Sequence, residues 1–240
     1  MISLQSRNTA LTEKMDNVSC DQETLFRTYD QFHRLNLLLT GWKALFHKRI
    51  LPLARTDRPL RILDIGCGGG DLCRNISEWA VRSSIDVHIT GVDPDPRALQ
   101  YSRTQPRPEN VRFLQGIAGD LVQKEETFDV VISNHLLHHL EDSELHALCL
   151  EAEKLTTGTV LFNDIQRSRA GYVLFGSLAP LLFRHSFIVE DGLTSIRRSF
   201  RPEELQLALP QDWQVESHFP WRLLATYWTR DASGHTRSHA

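Results

Sequence analysis

The sequence predicts an α/β fold built on a mostly parallel sheet. The first observation behind this is alternation: from residue 60 onward, short apolar runs alternate with segments of helical periodicity. The second is one junction in that series. Leu60-Arg61-Ile62-Leu63 passes through Asp64 into a turn with glycines at 66, 68 and 70, and an apolar helical stripe (Leu72, Ile76, Trp79, Ala80) follows. Strand, tight glycine turn and helix in that order form the βα unit of a parallel sheet. The third is a pair of late apolar runs joined by a short turn at Pro220, which predicts an antiparallel hairpin at a sheet edge.

In chain order, residues 1–20 are polar and mixed and are expected to form a flexible arm. A cap of helices follows over 21–57. Leu25, Tyr29, Phe32, Leu35 and Leu38 recur at helical spacing, and Trp42, Leu45, Phe46 and Ile50 mark a second helix ended by Pro52. The core spans 58–166: strand 60–65, helix 71–82, strand 87–92, helix 95–104, strands 111–115 and 128–133, helix 142–155 and strand 158–163. Residues 167–200 form an insertion with an apolar face (Tyr172, Phe175, Leu178, Leu182), read either as a helix packed on the sheet or as a lid over an apolar acceptor. The sheet ends over 201–230 with helix 202–209 and the hairpin, and 231–240 reads as a flexible tail.

The glycine turn narrows the ligand. A dinucleotide fingerprint, G-x-G-x-x-G, would place its third glycine at position 71, which is Asp71. Carboxylates at Asp64 and Asp71 suit a cationic group better than a pyrophosphate, which wants bare N–H groups at a positive helix end. The next strand, Val87 to Val92, ends in Asp93, placed to accept hydrogen bonds from ribose hydroxyls. An ammonium and a ribose together point to S-adenosylmethionine.

Asp64-Ile65-Gly66-Cys67-Gly68-Gly69-Gly70, Gly91-Val92-Asp93 and Phe128-Asp129-Val130-Val131 resemble, in order, the motifs of class I SAM-dependent methyltransferases, over roughly residues 58 to 165. The resemblance implies a Rossmann-like seven-stranded sheet with a reversed last strand. Ligands of such sheets bind at the carboxyl ends of the strands, which assigns Asp64, Gly66, Gly68 and Gly70 to the methionine part of the cofactor, with Cys67 a further cofactor contact, Asp93 to the ribose, and Pro94 and the Ala118 backbone to the adenine side; the resemblance places Asn134 beneath the cofactor. Where the family often carries an adenine-binding acid, this chain has Ile117, leaving Asp120 or the Ala118 backbone for that task.

Acceptor chemistry is expected at the carboxyl ends of the fourth and fifth strands. After Asn134 comes His135-Leu136-Leu137-His138-His139. An imidazole titrates near working pH and can take the proton of a hydroxyl nucleophile, so His139 or His138 is the expected base. His135 and His139 are spaced to share a helix face, but the stretch lacks H-E-x-x-H and no metal is expected. Asn163, Asp164 and Arg167 are substrate-side candidates, with Asp164 alternatively a helix cap.

A net charge of -3 gives no electrostatic case for nucleic acid. Four cysteines without C-x-x-C spacing fit free thiols in a reducing cytoplasm, and the longest apolar stretch, 170–183, is interrupted by Pro180 and too short to span a bilayer. The expectation is a cytoplasmic enzyme that methylates a small aromatic or apolar acceptor, first at a phenolic or polyketide-type hydroxyl. Carbon methylation of an aromatic or quinone ring is the alternative, since the motif neighbourhood also resembles quinone-biosynthesis C-methyltransferases. A nucleic-acid methyltransferase or an inactive SAM-binding module fits less well.

Overall fold

The computed structural model describes residues 4–229, so the tail expected at 231–240 lies outside the described residues. Helix α1 (Gln22–Leu39) is opened by Asp21, whose carboxylate accepts from the Thr24 amide at 2.7 Å. Helix α2 (Trp42–Leu45) continues as a π turn (Phe46–Ile50) and a 3-10 turn (Leu51–Leu53). The core then runs β1 (Leu60–Ile65), α3 (Asp71–Arg82), β2 (Val87–Asp93), α4 (Pro96–Thr104), β3 (Val111–Gln115), α5 (Ala118–Gln123), β4 (Phe128–Asn134), α6 (Asp142–Leu155) and β5 (Thr156–Ile165). Helices α7 (Arg169–Leu182), α8 (Ile188–Arg198) and α9 (Pro202–Ala208) precede the hairpin of β6 (Gln214–His218) and β7 (Arg222–Trp228).

The strands form one seven-stranded sheet in the order β3-β2-β1-β4-β5-β7-β6. β1 pairs in parallel with both β2 and β4, so the order reverses between them and a crevice opens at their carboxyl ends. β7 is antiparallel to β5, pairing Ile165 with Arg222 and Asn163 with Leu224. This register brings the start of β7 to the carboxyl end of β5.

Alternation along the strands feeds two apolar layers. Leu63, Val131, Phe162 and Leu223 face α5, α6 and α9, while Ile62, Val130, Ile132, Leu161 and Leu224 face α2 and α3. Each such side chain stabilises the fold by about 1.5–3 kcal/mol on burial, which holds the sheet rigid beneath the crevice. A smaller cluster of Leu25, Tyr29, Ala98 and Tyr101 packs α1 against α4, directly over the glycine turn.

Two elements differ from the sequence reading. Helix α5 is not legible as a helix because its six residues are too few for a periodicity; Asp120 opens it by accepting from the Ile117 amide at 2.9 Å. The arm, expected to be flexible, is packed from Leu4 onward. Asp191 accepts from the amides of Lys14 and Met15 at 2.7 and 3.1 Å, and Arg97 donates to the Met15 carbonyl at 3.0 Å. Polar side chains bury here because they find partners elsewhere in the fold, which composition alone does not reveal.

Candidate cofactor and acceptor site

The glycine turn is built from backbone. The Gly66 and Cys67 amides donate to the Val92 carbonyl at 2.8 and 3.1 Å, tying the end of β1 to β2. Gly66 and Gly70 have φ of +70° and +77°, conformations that L side chains rarely adopt. A Cβ on Gly70 would also lie 2.4 Å from the Phe113 ring. Asp93 closes the turn from β2, its two oxygens accepting from the Gly68 amide at 2.8 Å and the Asp95 amide at 2.9 Å.

Asp64 gives the clearest sign of what belongs in the turn. It is 1% exposed, one oxygen accepts from the Cys73 thiol at 3.3 Å, and the other has no hydrogen-bond partner. Burial pushes its carboxyl up to about 8; the Cys73 thiol offsets this in part, and Asp71 and Asp93 add to it. A buried carboxylate oxygen without a donor is costly. An ammonium supplies both the donor and the opposite charge. Asp64, the turn amides and Asp93 therefore fit the amino-acid end and ribose of SAM. Of the other expected contacts, Cys67 is buried within the turn, its thiol pushed up by burial, Pro94 is exposed beside it, and Ala118 opens α5 behind exposed Ile117. Asp120 serves as the α5 cap.

From Asn134 a polar chain runs across the carboxyl ends of the strands. Asn134 donates to Asn36 of α1 at 3.4 Å, and Asn36 donates to Asp71 at 2.9 Å. Arg222 donates to the side-chain oxygens of Asn134 at 3.1 Å and Asn163 at 3.0 Å, and Asn163 donates to the Thr40 carbonyl at 2.7 Å. His135 lies on this chain, with its Nε2 3.4 Å from Arg222 Nη1 and Phe32 of α1 across its ring. Its φ of +61° is rare for a non-glycine residue, a form of strain that clusters at functional sites. Burial and the Arg222 charge push its pKa well below the ordinary histidine value, so the ring is neutral at pH 7.

The expected base His138 is placed differently. It is 1% exposed, with Nδ1 2.7 Å from Asp164 and Nε2 3.2 Å from Glu13 of the arm. Burial pulls its pKa down, but Asp164 and Glu13 outweigh it and raise it to about 9. His138 is thus an imidazolium held between two carboxylates, with no nitrogen free to accept a proton. His139 is half-buried, its Nδ1 3.2 Å from Asp16 and its Nε2 3.8 Å from Glu13. Glu13, His138 and His139 offer ligand atoms within 4.8 Å of one another.

Asn163 and Asp164 stand at the end of β5 as expected, but Asp164 is committed to His138, and α7 is capped by Ser168 instead. Arg167 is turned away: it bonds the Leu4, Gln5 and Ser199 carbonyls and Glu204, clamping the arm to α8 and α9. The sequence reading missed Glu13, Asn36, His135 and Arg222 as members of the site. For Arg222 there was a signal, a lone charge opening an otherwise apolar strand.

Comparison with known proteins agrees with this geometry. Residues 62–157 match a family described as a methyltransferase domain. This stretch, which holds the glycine turn and the first four strands of the sheet, carries the methyltransferase domain. Among the curated relatives, a ubiquinone biosynthesis O-methyltransferase from Rhizobium etli is 27% identical over 158 residues, covering 65% of this chain and 60% of the relative. The mitochondrial ubiquinone biosynthesis O-methyltransferase of Schizosaccharomyces pombe is 28% identical over 181 residues, covering 72% and 63%. The chain thus spans less than two thirds of the length of these relatives. Its fold is shared by human N-acetylserotonin methyltransferase solved with SAM (TM-score 0.60, 13% identity, covering 87% of this chain and 56% of that one). It is shared too by the plantazolicin methyltransferase BpumL solved with a pentazolic desmethylPZN analog and SAH (TM-score 0.55, 13% identity, covering 89% and 86%). No helix of the described residues is long and apolar enough to cross a membrane.

Proposed function

We propose that this methyltransferase transfers the methyl group of SAM to a hydroxyl oxygen of a small, mainly aromatic acceptor. The observation that carries this is the neutral, half-buried His135 beside Asn134, with an aromatic ring of α1 facing it. SAM, when bound, supplies a methyl group on a sulfonium, already activated for attack. The chain's task is then to place the acceptor and remove its proton. Asn134 and Asn163 are held by Arg222 and the α1 end, so their amides form a fixed polar wall. Phe32 gives an aromatic acceptor an apolar contact, and α1 and the packed arm keep water from the crevice. His135 is the proton acceptor in this reading, because its ring is neutral where that of His138 is charged. His139, the other base expected from sequence, keeps a carboxylate on Nδ1 and stays as the comparison. Relatives named as O-methyltransferases support oxygen over carbon.

The test supplies methyl-deuterated SAM and a set of phenols and catechols, and reads products by mass spectrometry. The expected result is a labelled methyl on oxygen, with His135→Asn lowering turnover about 10²-fold while SAH affinity is kept. Label on ring carbon would establish the alternative reaction. Full turnover in His135→Asn with loss in His139→Asn would return the base to His139.

A further inference from the structure

Arg222 is a buried charge whose part in the reaction as described is only to hold Asn134 and Asn163, a task that does not need a cation. It is 5% exposed at the start of β7, yet its hydrogen-bond partners are all neutral: Asn163 Oδ1, Asn134 Oδ1 and His135 Nε2. A buried guanidinium is ordinarily paired with a carboxylate, because an isolated buried charge is expensive. Among the described residues Asp164 is the carboxylate whose field reaches it, and Asp164 is spent on the His138 imidazolium at 2.7 Å. Of the other charged groups nearby, Glu13 faces His138, and Asp71 is separated from Arg222 by Asn36 and Asn134. Glu13 and Asp164 together balance the charges of His138 and Arg222, but both carboxylates are hydrogen-bonded to His138 and neither to the guanidinium, which stands at the carboxyl end of the sheet with neutral hydrogen-bond partners. Burial lowers its pKa to about 10, so it stays charged at neutral pH.

The three neutral partners also leave N–H groups on both terminal nitrogens. The Nη1–His135 contact, at 3.4 Å, is at the long limit for a hydrogen bond. A hydroxyl oxygen placed alongside this contact is within reach of a proton acceptor, His135 Nε2, and of a cationic donor, the free N–H of Arg222 Nη1.

Resting on the O-methylation reading above, we propose that Arg222 binds the acceptor oxygen as an oxyanion, so that the acceptor class is acidic hydroxyls, phenols above all, captured as phenolates. The hydroxyl proton passes to His135 Nε2 and on to solvent. The phenolate oxygen then forms its bond to the methyl carbon as the carbon–sulfur bond breaks and its electron pair returns to sulfur. A preorganised cation in a dry site favours the phenolate over the phenol far more than water does. Aliphatic alcohols, which do not ionise near neutrality, are poor acceptors on this account.

The probe is 4-nitrophenol, whose ionised form is read directly by its visible absorbance, with 4-nitrocatechol as a second probe. SAH binding to the full chain is first measured by calorimetry; failure there overturns the SAM reading itself. The SAH-loaded protein is then mixed with probe about one pH unit below the probe's own pKa, where roughly a tenth of it is ionised. The expected result is that bound probe is more than half ionised in the wild type, less so in Arg222→Lys, and close to the free value in Arg222→Gln. Should Arg222→Gln fail to fold, the wild type and Arg222→Lys still decide. Bound probe that stays neutral in the wild type overturns the proposal. So does equal ionisation in a variant that still binds SAH, or failure of both probes to bind the SAH-loaded protein.

Discussion

Asp64 makes the cofactor site testable without knowledge of the acceptor. Its carboxyl, pushed up to about 8 by burial, carries a proton at pH 7 in the free protein. The ligand's ammonium can pair only with the ionised form, so binding must expel that proton. A group with a pKa of about 8 is roughly 90% protonated at pH 7 and half protonated at pH 8. Binding of SAH should therefore release about 0.9 proton at pH 7 and about 0.5 at pH 8. Calorimetric titration in buffers of different ionisation enthalpy reads this number directly, as the slope of observed enthalpy against buffer enthalpy. Asp64→Asn keeps the shape but removes both charge and proton. It should release none, and it should bind about 10- to 150-fold more weakly, the equivalent of a 1.5–3 kcal/mol charge-assisted hydrogen bond. Binding by the wild type at pH 7 with no proton release would refute the pairing of Asp64 with an ammonium.

Three further outcomes follow from the same geometry. Asp93→Ala removes the acceptor of the Gly68 and Asp95 amides as well as the ribose contact, and should weaken SAH by about 1–3 kcal/mol in calorimetry. The folded pKa of His138 is raised from 6.5 to about 9, so the stability it contributes is complete below 6.5 and is lost as pH rises to about 9. That amounts to about 3 kcal/mol, and urea unfolding should show the decline in the wild type and a smaller one in His138→Asn. Gly70→Ala forces a side chain onto a φ of +77° and against Phe113, and should cost at least about 1–2 kcal/mol in the same assay.

The β1 turn was legible because its chemistry is local: one short stretch holds Asp64, the positive-φ glycines and the start of α3. The parallel core was legible for the same reason, as was the hairpin that reverses β7. The acceptor side was read poorly because its members meet through tertiary contacts. Glu13 reaches His138 across 125 residues of sequence, and Arg222 reaches His135 across 87. His135 and His138 read alike in sequence. Their opposite states come from the tertiary fold: burial and the Arg222 guanidinium lower the one, and the carboxylates of Asp164 and Glu13 raise the other. Arg167 looked cleft-facing by its place after β5, but the backbone of the arm and α8 claims its donors.

The most direct test is a crystal structure with SAH. The account predicts the ammonium within hydrogen-bond reach of Asp64 Oδ1 and the ribose hydroxyls on Asp93, with the sulfur directed toward Asn134 and His135. Ligand bound elsewhere, or an Asp64 oxygen still without a donor at saturating SAH, would contradict it.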